Sequence, residues 1–206
     1  MLTCSNISAV RNKKLLFSGL GFTIFNGSCL FIRGKNGIGK TSLLKIIANL
    51  IPKSSGDIFY NSINIKLALR EFYQLIFYIG KTDVLDESLT VLKNLEFWGE
   101  LYDQEMNIPA SIKTFDLEPY INTKLYKLSQ GLKQRVLLSR LLLCSAKIWL
   151  LDEPFNSLDY QAKDILVNLI KARCMQRGIV IIVDHDQNIK IENMSEINLQ
   201  DFCNDQ

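Results

Sequence analysis

GKNGIGKT, residues 34–41, is the stretch that decides the fold of this 206-residue chain. It fits the phosphate-loop pattern G-x-x-x-x-G-K-[ST] through Gly34, Gly39, Lys40 and Thr41. SCLFIRG before it is an apolar run that predicts a buried strand, and SLLKIIANL after it carries apolar positions at helical spacing. Strand, glycine loop and helix together turn a pattern into a mechanism. Glycines let successive backbone N–H groups turn inward around phosphate oxygens, and the helix N-terminus adds its partial positive charge. Lys40 then reaches the β- and γ-phosphates, and the Thr41 hydroxyl is a ligand for Mg²⁺. Lys35, Asn36, Gly37, Ile38 and Ser42 complete the set expected against the nucleotide.

Bulk properties narrow the class. The length suits one domain with room for an inserted subdomain. A net charge of +3 without a dense Lys/Arg run gives no footprint for nucleic acid, so no such partner is expected. Cys4, Cys29, Cys144, Cys174 and Cys203 are scattered without metal-ligand spacing, and three lie in or beside apolar runs, so buried thiols are expected. The N-terminus has no apolar signal core, and no run reaches the ~20 apolar residues that span a bilayer. VLLSRLLLCSAKIWLL, the longest candidate, is broken by Arg140 and Lys147. A cytosolic, thiol-reduced protein is expected.

Along the chain, residues 2–10 and 20–25 read as half-buried strands, with RNKKLLFSG between them as a turn and approach. DIFYNSINI is a short alternating strand after a Pro/Ser/Gly loop, and LIFYIG at 75–80 is an apolar strand. VLKNLEFWGELY predicts a helix capped by Ser88 or Thr90, with Val91, Leu92, Leu95, Trp98, Leu101 and Tyr102 mostly core. Residues 84–140 read as a helical subdomain inserted in an α/β body. KLSQGLKQRVLLSRLLLC places Ser129 and Gly131 just before a helix, and KIWLLDEPFNSLD is a buried strand ending in Asp152 and Glu153. A helix closes on Gly178 as its C-cap, GIVIIVDHD is a second buried strand ending at His185, and the tail from Gln187 is polar and alternating.

The ordered set GKNGIGKT, LSQGLKQR, IWLLDEP, NSLD and His185 resembles the ATP-binding domain of ABC-type ATPases, over essentially the whole chain. The resemblance implies an α/β P-loop NTPase fold: a mixed sheet core, an antiparallel β subdomain and the helical insertion, all one domain over 1–206. It implies ATP and Mg²⁺ as ligands, with Thr41 and Asp152 at the metal. Glu153 faces the γ-phosphate as general base or orienter of water, His185 is the switch histidine, and Lys40 joins them in catalysis. Paired acids at a strand end also serve as caps of a following helix, and a lone histidine beside an apolar strand also serves as a buried structural residue. In the family, Ser129 and Gly131 close over the partner's ATP in a head-to-tail homodimer, and Asp159 lies in the dimer-contact loop. As an ordinary N-cap, Ser129 serves its own helix with the same atoms.

Three departures from the family pattern are visible. Lys81 stands where Gln is usual and brings only donors, so it cannot ligate a metal. Leu132 stands where the signature often has Gln. No aromatic precedes the first strand turn, so Arg11 or Phe17 is left to stack on adenine. LLFSGLGFTI, KTSLLKIIANL, LTVLKNLEFW and WLLDEPFNSLD are similar to the heme-exporter ATP-binding subunits of cytochrome c maturation. That similarity implies hydrolysis coupled to integral membrane subunits of that system, at the cytoplasmic side of a bacterial inner membrane. Phe97 or Trp98, near where the family docks its membrane partner, is a contact candidate beside a core reading. The alternative is the ATP-binding subunit of another ABC transporter, an importer or a lipoprotein-release system.

Overall fold

The computed structural model describes residues 1–80, 85–185, 189, 191 and 194–203. The chain divides into two compact units, one of Met1–Gly80, Ala146–Glu153 and Ile170–Gln206, the other of Lys81–Ser145 and Pro154–Leu169.

The first unit opens with a hairpin of β1 (Leu2–Arg11) and β2 (Lys14–Ile24). Its turn is only Asn12 and Lys13, both left-handed at φ 51° and 62°. RNKKLLFSG is therefore mostly strand and not an approach loop. Two successive residues with positive φ match the right-handed twist of the flanking strands, which a two-residue hairpin requires, here without any glycine to announce it. Bulges in the β1–β2 pairing break the alternation that would have marked a strand over 14–19. β4 (Ser55–Tyr60) pairs antiparallel with β1, and β5 (Ile63–Asn64) with β4.

The second sheet is parallel, in the order β6 (Ile76–Ile79), β7 (Ile148–Asp152), β8 (Ile179–Val183), β3 (Cys29–Arg33), β9 (Met194–Asn198). IWLLD and IVIIV are buried at every position. Continuous apolar strands are what a parallel sheet covered on both faces demands. β9 forms from the polar, alternating tail as an edge strand, where the sequence reading placed no element. α1 (Lys40–Ile47) follows the phosphate loop, and α2 (Leu69–Leu75), which no sequence signal announced, buries only Phe72.

The second unit includes the 84–140 stretch and also takes in 141–145 and 154–169. Thr90, and not Ser88, caps α3 (Val91–Leu101), accepting the Lys93 N–H at 3.2 Å. The buried face of α3 is Val91, Asn94, Leu95 and Gly99. Leu92, Trp98 and Tyr102 are half-buried, and Leu101 is 58% exposed, so the core stripe is narrower than the apolar spacing implied. Asn94 accepts from the Asp86 N–H and donates to the Asp86 and Thr90 carbonyls, each at 3.0 Å, which satisfies a buried amide. Trp98 stacks under the buried Arg140, whose guanidinium carbon lies 3.6 Å from the ring centroid, while Phe97 is exposed. α4 (Ile108–Thr114) and α5 (Gln130–Ser139) follow, with short 3-10 turns around them, before α6 (Tyr160–Met175) begins in this unit.

α6 does not end on a left-handed Gly178. Arg177 takes that conformation at φ 62°, its N–H bonds the Cys174 carbonyl, and the Gly178 N–H bonds the Arg173 carbonyl, each at 2.9 Å. That pair of bonds is a Schellman closure one residue earlier than expected. All five cysteines are thiols; Cys4, Cys29 and Cys144 are buried, and desolvation pushes the Cys4 thiol up to about 12. Among the described residues no helix is long and apolar enough to cross a membrane.

Candidate functional site

The parallel sheet gathers the chemistry at one edge. β7, β8 and β3 are neighbours, with Asp152 opposite Val183 and Val183 opposite Ile32. The loop after β3, the acids ending β7 and His185 after β8 therefore leave the sheet together, at the strand C-termini where ligands of such sheets sit.

In the phosphate loop Gly34, Gly37 and Gly39 have φ of 138°, 79° and 111°. Lys35, Asn36 and Gly37 are exposed, Gly34, Ile38, Gly39 and Thr41 half-buried, and Lys40 and Ser42 buried. Gly39 stands at the N-cap of α1 in a left-handed conformation with no side chain bonding the first turn. The N–H groups there keep the direction an anion needs. The Lys40 ammonium folds back over the loop, donating to the Gly34 and Lys35 carbonyls at 2.7 and 2.8 Å. It is thus held above the place where the glycine backbone turns.

Thr41 Oγ1 donates to Asp152 Oδ2 at 2.8 Å. Two hard oxygens at that spacing suit adjacent positions of an octahedral Mg²⁺, whose ligands at ~2.0–2.1 Å lie about 2.9 Å apart. Glu153 is buried, and its backbone is left-handed at φ 52°, with its N–H on the Val183 carbonyl at 2.7 Å. A glutamate in that region carries strain, here at the turn out of β7. Its Oε1 lies 3.5 Å from His185 Nε2, and the imidazole is 42% exposed. His185 is thus a partly open side chain at the sheet edge, not a buried structural one.

The characteristic sequence pattern of the ABC transporter family matches residues 17–156, which holds the loop, LSQGLKQR and the paired acids in order. The chain belongs to the ABC transporter family. It is 38% identical over 202 residues to "Cytochrome c biogenesis ATP-binding export protein CcmA" of Wolbachia pipientis, covering 98% of each chain. It is likewise 38% identical to the protein of that name in Reclinomonas americana, over 195 residues, covering 92% of this chain and 87% of the relative. Among solved structures, an ABC transporter ATP-binding protein of Pyrococcus furiosus superposes with a TM-score of 0.82 at 26% identity, covering 98% of both chains. A dimeric ATP-binding cassette in a post-hydrolysis state with ADP and Pi shares the fold, at a TM-score of 0.78 and 24% identity, covering 91% of this chain and 89% of that one.

Ser129, Gly131 and Asp159, expected to serve the partner's nucleotide and the dimer contact, lie in the second unit. Ser129 caps α5, its Oγ accepting the Leu132 N–H at 3.3 Å. A Cβ on Gly131 would come within 2.7 Å of the Ser157 carbonyl, so glycine is also required there by the neighbouring NSLD loop. Asp159 caps α6, accepting the Ala162 N–H at 2.9 Å, and pairs with Arg135 at 2.6 Å. These two contacts, the N–H bond first, hold its carboxyl below the usual range.

Beside Thr41 and Ser42 a cavity of about 270 Å³ is lined by Arg11, Leu16, Lys45, Ile51 and Pro52 among others. Phe17 is fully buried in the core, so of the two stacking candidates only Arg11 faces this space. Leu16, Lys45, Ile51 and Pro52 carried no sequence signal; only their convergence on the loop identifies them. Lys81 lies outside the described residues.

Proposed function

We propose that this chain hydrolyses ATP as the ATP-binding subunit of a membrane transporter, and that the transporter is the heme exporter of cytochrome c maturation. The observation that carries the chemistry is the pairing of Thr41–Asp152 and Glu153–His185 at one sheet edge beside the phosphate loop. ATP lies with its phosphates on the loop amides and Lys40, and its base beside Arg11. Thr41 and Asp152 would hold Mg²⁺, which would offset phosphate charge and polarise the γ-phosphoryl group. Glu153 accepts a hydrogen bond from the attacking water and takes its proton as the water oxygen bonds to phosphorus. The bond to the bridging oxygen breaks, and ADP leaves with phosphate as co-product. His185 steadies Glu153 and the water on the open side.

The names of the relatives support the transport assignment, since similarity to one of them covers 98% of each chain. A head-to-tail homodimer supplies each site with the partner's Ser129 and Gly131, and integral membrane subunits at the inner membrane receive the stroke. Glu153→Gln tests the reading at both levels. The variant should bind ATP normally and hydrolyse it on the order of 10²- to 10³-fold more slowly. In cells relying on it, covalent heme on c-type cytochromes should be lost while other heme proteins stay normal. Normal c-type cytochromes would remove the heme-export assignment; undiminished hydrolysis would remove Glu153 from the mechanism.

A further inference from the structure

β3 ends in an arginine that none of the roles above employs. Arg33 immediately precedes Gly34, and its guanidinium lies 4.4 Å from the centroid of the Phe31 ring. Nη1 donates to the Asp184 carbonyl at 2.9 Å, while Nε and Nη2 donate to Glu196 Oε1 at 3.3 and 3.1 Å. The side chain is 14% exposed. β8, β3 and β9 are adjacent, so one planar group ties three neighbouring strands together at the edge where the phosphate loop and His185 emerge. The β3–β8 pairing runs as far as Ile32 and Val183. The Arg33 side chain extends that link by one residue, to the peptide that leads directly into His185.

We infer that Arg33 is a positioning residue for hydrolysis, fixing the Asp184 carbonyl and through it the His185 imidazole relative to the phosphate loop. This rests on the proposed role of His185 at the γ-phosphate. The residue type follows from the geometry. A guanidinium can stack on Phe31 while donating in two directions within one plane, whereas a lysine ammonium has neither the plane nor the fork. Glu196 stands on the edge strand and is 47% exposed, so it sets the fork's orientation in contact with water and carries less of the effect.

His185 is the only histidine, so its imidazole signals in a ¹H–¹³C spectrum need no assignment. The test combines that spectrum with steady-state ATP hydrolysis by Arg33→Met, Arg33→Lys, Glu196→Gln, His185→Ala and the Arg33→Met/His185→Ala double variant. Arg33→Met should lower kcat on the order of tenfold to a hundredfold, with KM for ATP within about twofold of the parent. Arg33→Lys should recover little of this, and Glu196→Gln should lose only about twofold to threefold. Added to His185→Ala, Arg33→Met should cause no more than about twofold further loss, because both act through one side chain. The His185 signals should shift or broaden in Arg33→Met and Arg33→Lys. Unchanged kcat with an unchanged spectrum would overturn the inference. So would a full further loss on top of His185→Ala together with a lowered melting midpoint, which marks a mere strand clip. Should Arg33→Met fail to fold, Arg33→Lys carries the test. Should His185→Ala hydrolyse ATP like the parent, the reading of His185 fails, and the spectrum alone still decides whether Arg33 holds the imidazole.

Discussion

A Cβ on Gly37 would meet no atom within 4 Å, whereas one on Gly39 would meet Leu16 and Phe17 at 3.2–3.3 Å. The two glycines therefore serve different ends. Gly37→Ala should cost about 1–2 kcal/mol for its left-handed backbone and still fold, yet lose at least roughly tenfold in ATP affinity as the methyl fills the phosphate approach. Gly39→Ala adds crowding against two core side chains, so its melting midpoint should fall further; equal melting loss in both would refute the distinction. Thr41→Ala removes one oxygen of the pair proposed to hold Mg²⁺ and a hydrogen bond to buried Asp152. It should lower stability by about 1 kcal/mol and raise the Mg²⁺ needed for half-maximal hydrolysis roughly tenfold, with Thr41→Ser near normal. An unchanged Mg²⁺ titration in Thr41→Ala would place the metal elsewhere. These residues were legible in the sequence because phosphate-loop chemistry is local. The spacing of glycine, lysine and hydroxyl is itself the geometry.

Elements show where local reading stops. LSQGLKQR and NSLD read as separate motifs, but Arg135 from the first bonds Asp159 from the second, and Ser157 packs over Gly131. Asp159 carries a pH signature from these contacts. Its folded carboxyl lies below the ordinary 3.8, so its contribution is fully present above that value and is lost as pH falls through the depressed one. Asparagine keeps the cap but not the charge. Asp159→Asn should thus be modestly less stable than the parent in urea at pH ~6, with the difference closing as the pH falls below 3.8 through the depressed value. A difference that persists in acid would mean that shape, not charge, is at work. The hairpin turn at Asn12–Lys13, the helix α2 and the strand β9 were not legible, each for a physical reason. The turn uses positive φ without glycine, α2 buries one side chain, and β9 is an edge strand whose pairing with β3 comes from far along the chain.

At the scale of the whole molecule the proposed dimer gives the last test. With hydrolysis blocked, ATP should hold two chains together, so Glu153→Gln with ATP should double in mass by light scattering and return to a monomer in ADP. Adding Ser129→Arg should abolish the doubling while ATP still binds each chain. A dimer that survives Ser129→Arg would rule out the signature as the closing surface. The sequence by itself determined the ABC fold, the loop residues and the paired acids, because those depend on short spacings and on strands apolar enough to be buried on both faces. Only the tertiary structure decided that Asp152 meets Thr41, that Glu153 meets His185 from a strained backbone, that Arg11 and not Phe17 faces the cavity, and that Arg33 reaches the Asp184 carbonyl. Each of these joins residues distant in sequence, or depends on which side of a strand meets solvent, and strand order and register set both.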